Sequence, residues 1–259
     1  MKIAVLKISG KALNDVLNEE SWIATIKMLQ KTYDGVVIVH GAGRTISEWS
    51  SALGLEVKFH QGQRVTTANV MEVVTAVQAG VLNAKIVSRL ITGEINAVGL
   101  TGIDRNSFVA ENINADLGYV GVPKQVNSIN WITELLNNKV VPVFSSVCRD
   151  SKGNLMNVNA DYFTEVLATS LQADSVFFVS DVKGVKLNGS FQPLIDQAKI
   201  RQGIDEGEIT DGMIPKLNSC IELLNKGINK IWIGANNPEE IFNENECKNG
   251  SGTWVVQSA

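Results

Sequence analysis

Short, continuously apolar runs that alternate with amphipathic segments are the feature of this 259-residue chain that most restricts its fold. Runs of this kind, rich in valine and isoleucine, predict strands that are buried on both faces, as in parallel sheets. The predicted strands are Ile3 to Lys7, Val36 to His40, Ala97 to Leu100, Val140 to Phe144, Val176 to Ser180 and Lys230 to Ile233.

The segments between these strands carry apolar residues at helical spacing. The predicted helices are Ser21 to Lys31, Thr67 to Ile91, Ile129 to Asn137, Asp161 to Leu171 and Lys216 to Lys226. A β-hairpin flap is predicted within Gly102 to Pro123, and a boundary between two lobes near Gln172 to Asp174. Strand–helix alternation predicts an α/β fold, with a mainly parallel sheet covered by helices on both sides.

Charge and composition argue against several classes of protein. The net charge is −4 and no basic patch is present, so no nucleic-acid partner is expected. Three cysteines without a CxxC pair and only two histidines argue against a zinc site, and we predict no protein metal site. The apolar start of the chain is too short for a signal peptide, and no segment is expected to span a membrane. These features predict a cytoplasmic protein with reduced cysteines.

Two polar loops stand where a strand ends or a helix begins. Lys7 ends the first strand before Gly10, where it can reach a phosphate or simply be solvated. Asn157, Asn159 and Asp161 precede a predicted helix. Asp161 can cap that helix, or it can hold two lysines in place.

A third loop, Asp211 to Lys216, opens another helix, and Lys216 stands there against the helix dipole. A positive group in that field suggests a bound anion. The segment Ser180 to Gly184 follows a buried strand, at the end of the strand where open α/β sheets usually bind ligands. Together the loops indicate a phosphoryl-transfer site.

The loop His40-Gly41-Ala42-Gly43 resembles the start of a dinucleotide-binding turn. However, Ile46 occupies the position of the third glycine, so a Rossmann dehydrogenase is disfavoured, and no Walker motif is present. A general anion-binding loop fits better, with His40 as a packed structural histidine. Arg64 precedes a predicted helix start, and its planar fork suits a carboxylate, although a surface arginine is the other interpretation.

Seven motifs in this order resemble those of the acetylglutamate kinases, a branch of the amino-acid kinase family. They are Lys7-Ile8-Ser9-Gly10, His40-Gly41-Ala42-Gly43, Gly62-Gln63-Arg64-Val65-Thr66, Val98-Gly99-Leu100-Thr101-Gly102, Leu155-Met156-Asn157-Val158-Asn159-Ala160-Asp161, Ser180-Asp181-Val182-Lys183-Gly184-Val185 and Ile209-Thr210-Asp211-Gly212-Met213-Ile214-Pro215-Lys216. The resemblance covers nearly the whole chain. It implies a three-layer αβα sandwich with an amino-acid lobe at residues 1–173 and a nucleotide lobe at residues 174–259.

The resemblance implies that ATP phosphorylates the γ-carboxylate of N-acetyl-L-glutamate, a step of arginine biosynthesis, with Mg²⁺ held mainly by the phosphates. The implied catalytic residues are Lys7, Asp161 and Lys216. The implied substrate-binding residues are Gly41, Ala42, Gly43, Arg64, Asn157 and Asn159. The implied nucleotide-binding residues are Gly10, Ser180, Asp181, Val182, Lys183, Gly184, Val185, Ile209, Thr210, Asp211, Gly212 and Met213.

The chain departs from the family pattern at Ala42, where a glycine is usual, and at Ile103-Asp104-Arg105. Alternatives therefore include a family member that acts on N-succinylglutamate or carrier-linked aminoadipate, and a non-catalytic amino-acid or nucleotide sensor. The N-terminal helix of arginine-sensitive hexamers is missing, so the resemblance favours an unregulated homodimer.

Overall fold

The computed structural model describes residues 1–10, 12–60, 62–210, 213–235 and 252–257, with all side chains except those of residues 14–16. The described helices are α1 (Leu13–Asn18), α2 (Glu20–Thr32), α3 (Gly43–Ala52), α4 (Ala68–Val74), α5 (Asn83–Thr92), α6 (Asn130–Asn137), α7 (Ala160–Ser170), α8 (Gln197–Asp205) and α9 (Met213–Asn225). A π-helical segment, Thr75–Leu82, joins α4 to α5, and single 3₁₀ turns lie at Asp104–Asn106 and Ala115–Leu117.

The described strands form one large sheet and three small ones. They are β1 (Ile3–Ile8), β2 (Gly35–His40), β3 (Phe59–His60), β4 (Gln63–Arg64), β5 (Ala97–Leu100), β6 (Phe108–Asn112), β7 (Val120–Gln125), β8 (Val141–Ser145), β9 (Val147–Arg149), β10 (Leu155–Val158), β11 (Ser175–Val179), β12 (Lys186–Leu187), β13 (Ser190–Phe191), β14 (Leu194–Asp196), β15 (Lys230–Gly234) and β16 (Thr253–Val256).

The large sheet has the strand order β14-β16-β15-β11-β1-β2-β8-β5. Its neighbours pair in parallel except β15 and β16, which pair antiparallel. The six strands predicted from apolar runs are the six consecutive strands from β15 to β5, so the prediction of a mainly parallel sheet is confirmed. The short strands β14 and β16, which extend the sheet at one edge, were not predicted.

Successive residues of β1 alternate between two apolar cores, one on each face of the sheet. Val5 packs in the core that also contains Phe163 of α7, whereas Leu6 packs in the core that contains Trp22 of α2. Helices therefore cover both faces, and the three-layer αβα arrangement is confirmed. The strands β1, β2 and β11 are buried along their whole length, which explains why their sequences are almost entirely apolar.

A second, four-stranded sheet has the order β6-β7-β10-β9. β6 and β7 form the antiparallel hairpin that was predicted as a flap, and β10 pairs in parallel with β7. β10 leads directly into α7, so this small sheet supports the loop that carries Asn157, Asn159 and Asp161.

The predicted helix Thr67 to Ile91 begins as expected, with the Thr67 hydroxyl capping α4 by accepting from the Val70 amide. It is not a continuous α-helix, however, because the π-helical segment interrupts it. Leu82, the last residue of the interruption, is buried, and so are Ile86 and Leu90 after it, whereas a regular continuation from Val74 and Val77 would bury Val81. The wider π turns therefore shift the buried face by one residue.

The helical stretch Ala68–Thr92 is 25 residues long, and among the described residues it alone is long and apolar enough to cross a bilayer. The sequence interpretation expected no such segment. Half of its most apolar window is buried inside the fold.

Candidate active site

Two lysines from distant parts of the chain share one carboxylate oxygen. The Lys7 Nζ, at the end of β1, lies 2.6 Å from Asp161 Oδ1, and the Lys216 Nζ, in α9, lies 3.3 Å from the same atom. Less than a tenth of each of these side chains is exposed. The Lys216 ammonium also lies 5.2 Å from the ring centre of Phe178 on β11. Of the two interpretations of Asp161, the structure supports the organiser of two lysines.

The helix cap at this position comes from Asn159. Its Oδ1 accepts a hydrogen bond of 2.8 Å from the Asp161 amide, and α7 begins at Ala160. Because Asn159 caps the helix, the Asp161 carboxylate is available to the lysines.

Burial and charge act in opposite directions on this cluster. Burial alone would raise the pKa of Asp161, but the charges of Lys216 and Lys7 hold that pKa at about 2. Burial lowers the pKa of Lys7 to about 8; Asp161 opposes this decrease and Lys216 adds to it. With Asp161 ionised and both lysines protonated, the cluster has one excess positive charge in a place with little water. Such a cluster attracts anions.

Lys7 of this cluster lines both of two adjoining pockets. The first pocket, of about 230 Å³, reaches from Lys7 to Arg64 and to the Asn157–Asn159 strand. The second pocket, of about 620 Å³, includes Lys7, Asp161 and Lys216. Both pockets contain Gly10 and Gly43, so they adjoin at the two glycine loops.

The predicted substrate-binding residues all line the first pocket. Arg64, on β4, is buried, and its Nη2 donates to the Gly43 carbonyl and to the Ser47 hydroxyl, both at 2.7 Å. Its Nη1 is buried without a hydrogen-bond partner among the described residues. The Phe59 ring lies 4.7 Å from the guanidinium. A buried, half-satisfied guanidinium in a pocket is suited to bind a carboxylate.

Asn157 is oriented by a neighbouring hydroxyl. Its Nδ2 donates to Thr66 Oγ1 at 3.0 Å, and its backbone amide donates to the Tyr119 carbonyl at 2.8 Å. The side chain is thereby held in place at the wall of the first pocket.

The glycine loops after β1 and β2 touch each other through the main chain. A Cβ atom on Gly10 would lie 2.9 Å from the Gly43 nitrogen, and one on Gly41 would lie 3.1 Å from the Gly10 nitrogen. These close contacts explain the two glycines. Ala42, where the resemblance predicts glycine, has φ of −149°, which lies outside the positive-φ region that favours glycine, so the position does not require glycine.

The predicted nucleotide-binding residues lie along the second pocket and a third pocket of about 570 Å³ next to it. Ser180 lines the second pocket, and Asp181, Val182, Thr210 and Met213 line both. Lys183, Gly184, Val185 and Ile209 line the third. Asp211 and Gly212 lie outside the described residues.

Several pocket residues were missed by the sequence interpretation. They are Ser9, Arg44, Ile46, Ser47, Phe59, Gln78, Val120, Ser146, Lys186, Phe191 and Glu208. The residues after Gly43 could have been found, because a helix that follows an anion-binding loop presents its first turn to the same ligand. Gln78 gives no such signal, since it stands within an apolar helical pattern.

His40 is buried and hydrogen-bonded, as predicted for a structural histidine. Burial lowers its pKa to about 4, so the ring is neutral near pH 7. Among the described residues, no three or more His, Cys, Asp or Glu side chains come close enough to bind a metal ion.

Comparison with known proteins agrees with this geometry. The amino acid kinase family model matches residues 2–234. The acetylglutamate kinase of Clostridium acetobutylicum is 36% identical over 90% of this chain and 82% of its own length. That of a Sulfurihydrogenibium species is 34% identical over 98% of this chain and 92% of its own length. A crystal structure of a protein from Streptococcus mutans has a TM-score of 0.86 at 28% identity, over 98% of each chain. The chain belongs to the amino acid kinase family.

Proposed function

We propose that this chain is a kinase that transfers the γ-phosphoryl group of ATP to the γ-carboxylate of N-acetyl-L-glutamate, giving N-acetylglutamyl 5-phosphate and ADP, in arginine biosynthesis. The observation that carries the proposal is that Lys7, which lines both the first and the second pocket, shares the Asp161 carboxylate with Lys216 in the second pocket. Relatives named acetylglutamate kinase support the identity of the substrate.

The acceptor occupies the first pocket in this proposal. The Nη1 of Arg64, which has no partner among the described residues, binds the α-carboxylate, and Asn157 and Asn159 hold the acylated amino group. Gly41, Ala42 and Gly43 line the path of the γ-carboxylate towards Lys7. An α-carboxylate fixed at one end leaves the γ-carboxylate free to approach the lysines.

ATP occupies the second and third pockets. The base and ribose lie among Lys183, Gly184, Val185 and Ile209, and the phosphates reach Gly10 and the lysines. This arrangement places the γ-carboxylate of the acceptor and the γ-phosphate of ATP on opposite sides of one positively charged cluster.

The chemistry needs positioning and charge more than a base. A carboxylate nucleophile is already ionised at pH 7, so no proton has to be removed before it attacks. Lys7 and Lys216 offset the repulsion between the carboxylate and the phosphoryl oxygens, and Asp161 fixes the direction of both ammonium groups. Each lysine contributes a rate factor on the order of 100-fold or more in a site with little water.

The residues fit a Mg²⁺ ion that is carried by the nucleotide. Among the described residues, the carboxylates in the second pocket are Asp161, which pairs with both lysines, and Asp181, which accepts from Ser180 Oγ at 3.2 Å. Oxygen ligands for the ion therefore come mainly from the phosphates, whose charge it would reduce when bound.

The alternatives are less well supported. The relatives do not favour N-succinylglutamate or carrier-linked aminoadipate as the acceptor. A sensor without catalysis would have no need for two buried lysines on one carboxylate.

We also propose a cytoplasmic homodimer. β5 is an edge strand of the large sheet, and only half of the most apolar window of the Ala68–Thr92 helix is buried. Sedimentation equilibrium tests this point, and a monomer at all concentrations would contradict it.

A hydroxamate assay tests the proposed activity. The purified protein is mixed with MgATP, hydroxylamine and N-acetylglutamate, because hydroxylamine captures an acyl phosphate. N-succinylglutamate and free glutamate serve as competing acceptors, and a Lys7→Ala variant shows whether the product arises at this site. Hydroxamate is expected with N-acetylglutamate, and its absence with every acylated glutamate would rule out the proposal.

A further inference from the structure

The two walls of the first pocket are connected by one buried side chain, Gln78, which itself lines the pocket. One wall is the glycine loop that follows His40, and the other is the strand that carries Asn157 and Asn159. We infer that Gln78 is a positioning residue for the acceptor: it fixes the distance between these walls and thereby the affinity for the acylated glutamate. The inference rests on the proposed function.

The connection is a continuous series of hydrogen bonds. The Gln78 Nε2 donates to the His40 carbonyl at 3.3 Å and to the Ser146 hydroxyl at 2.8 Å. The Ser146 hydroxyl in turn donates to the Val158 carbonyl at 2.7 Å. Val158 stands between the two asparagines, and His40 directly precedes the glycine loop. Both protons of the Gln78 amide therefore hold the pocket walls.

The groups in this series are shielded from water. Gln78 is 3% exposed, Ser146 1% and His40 0%. A buried carbonyl or hydroxyl that loses its partner cannot replace it easily with solvent. The loss of Gln78 would thus release both walls rather than exchange one contact for a water molecule.

Asn83 supports the same loop from the next turn. Its Nδ2 donates to the Val143 carbonyl at 2.8 Å, which fixes the orientation of the amide, and it also lies 3.2 Å from His40 Nε2. Nε2 must therefore accept, so the ring proton is on Nδ1, 3.2 Å from the Gly41 carbonyl. His40 thus links Asn83 to the glycine loop as well.

The π-helical segment explains how both amides reach the loop. Gln78 and Asn83 are five residues apart, and in a regular α-helix such residues point about 140° away from each other. In π-helical turns, hydrogen bonds join residues five apart, which brings these positions towards one face. The π-helical segment therefore allows both amides to reach the loop that borders the pocket.

Gln78→Met tests the inference, because methionine has a similar length and donates no hydrogen bond. We expect the KM for N-acetylglutamate to rise about tenfold or more, since the acceptor grip is misplaced, with little change in the KM for ATP. Ser146→Ala interrupts the same series and should act in the same direction. The double variant should show no larger effect than the stronger single variant.

Tyr33→Phe is the matched control. It removes a buried hydrogen bond of 2.8 Å, from Tyr33 Oη to Ser175 Oγ, at the opposite end of the sheet. Thermal unfolding of all variants measures the loss of stability, and only Gln78 and Ser146 variants should change the KM for the acceptor.

The inference is overturned if the Gln78 and Ser146 variants leave the KM for N-acetylglutamate unchanged, if the effects of the two substitutions add in full, or if Tyr33→Phe raises this KM equally. Failure of the proposed function is recognised separately: the wild-type protein then forms no hydroxamate and binds no N-acetylglutamate in a calorimetric titration, and the inference falls with it. An active wild type with unaffected variants overturns the inference alone.

Discussion

Removal of the charge of Asp161 should destabilise the protein in a way that depends on pH. Both ammonium groups lie against one oxygen, at 2.6 and 3.3 Å, so their nitrogens are no more than about 6 Å apart. Like charges at that distance repel by about 3 kcal/mol at an effective dielectric constant of about 20. Asp161→Asn also removes the attraction that offsets burial. We therefore expect the free energy of unfolding to fall by about 3–5 kcal/mol at pH 6.

The sign of the pH dependence follows from Lys7. The pKa of Lys7 is already lowered to about 8, and without Asp161 it falls further, since the attraction to that carboxylate opposes the effect of burial. At pH values between the pKa of Lys7 in the variant and pH 8, the folded variant binds fewer protons than the folded wild type. The stability deficit should therefore shrink as the pH rises towards 8, by up to about 1.4 kcal/mol per pH unit, and level off above it.

Urea unfolding between pH 6 and pH 9 measures this deficit. Glu165→Gln is the matched control, because Glu165 is in the same helix and its ion pair with Lys226, at 2.9 Å, is partly exposed. It should cost no more than about 1 kcal/mol. The reasoning would be refuted if Asp161→Asn lost no more stability than Glu165→Gln, or if its loss of stability did not shrink with rising pH.

Three further outcomes are expected. Arg64→Lys should raise the KM for the acylated glutamate about tenfold or more, because a lysine ammonium cannot bind the Gly43 carbonyl and a carboxylate at the same time, as the forked guanidinium can. Steady-state kinetics that show no change in this KM would exclude the binding of a carboxylate at Arg64. The kcat/KM for ATP should fall as the pH rises through about 8, where Lys7 loses its proton in the free enzyme, and a flat profile would contradict this. Ala42→Gly should keep activity and lower the thermal unfolding temperature slightly, since a φ of −149° does not require glycine and glycine loses more conformational freedom on folding; a rise would contradict it.

Much of the fold could be predicted because it depends on simple patterns. The six central strands are buried on both faces, so their apolar runs are continuous and easy to recognise. β14 and β16 are short and lie at the edge of the sheet, where burial leaves a weaker pattern. The π-helical segment was hidden, because the repeated valines from Val70 to Val81 match a regular helix even where the buried face shifts by one residue.

The site was predicted less from physics than from resemblance. The sequence alone left Asp161 open between a cap and an organiser, and three-dimensional proximity to Lys7 and Lys216 decides it. Gln78 could not be predicted, since a lone glutamine in an apolar helix gives no indication of its partners. The assignment of residues to the acceptor and the nucleotide stays a prediction.

The π-helical segment between α4 and α5 has a consequence for how this chain can vary. Deletion of one residue within Thr75–Leu82 would yield a shorter and more regular helix, which local propensity favours. It would also turn the following half of the helix by about 100° relative to the first. Either Ile86 and Leu90 would leave the core, or Gln78 would leave the pocket wall. Changes of length here are therefore far more damaging than most single substitutions, and alignments of related sequences should place gaps elsewhere.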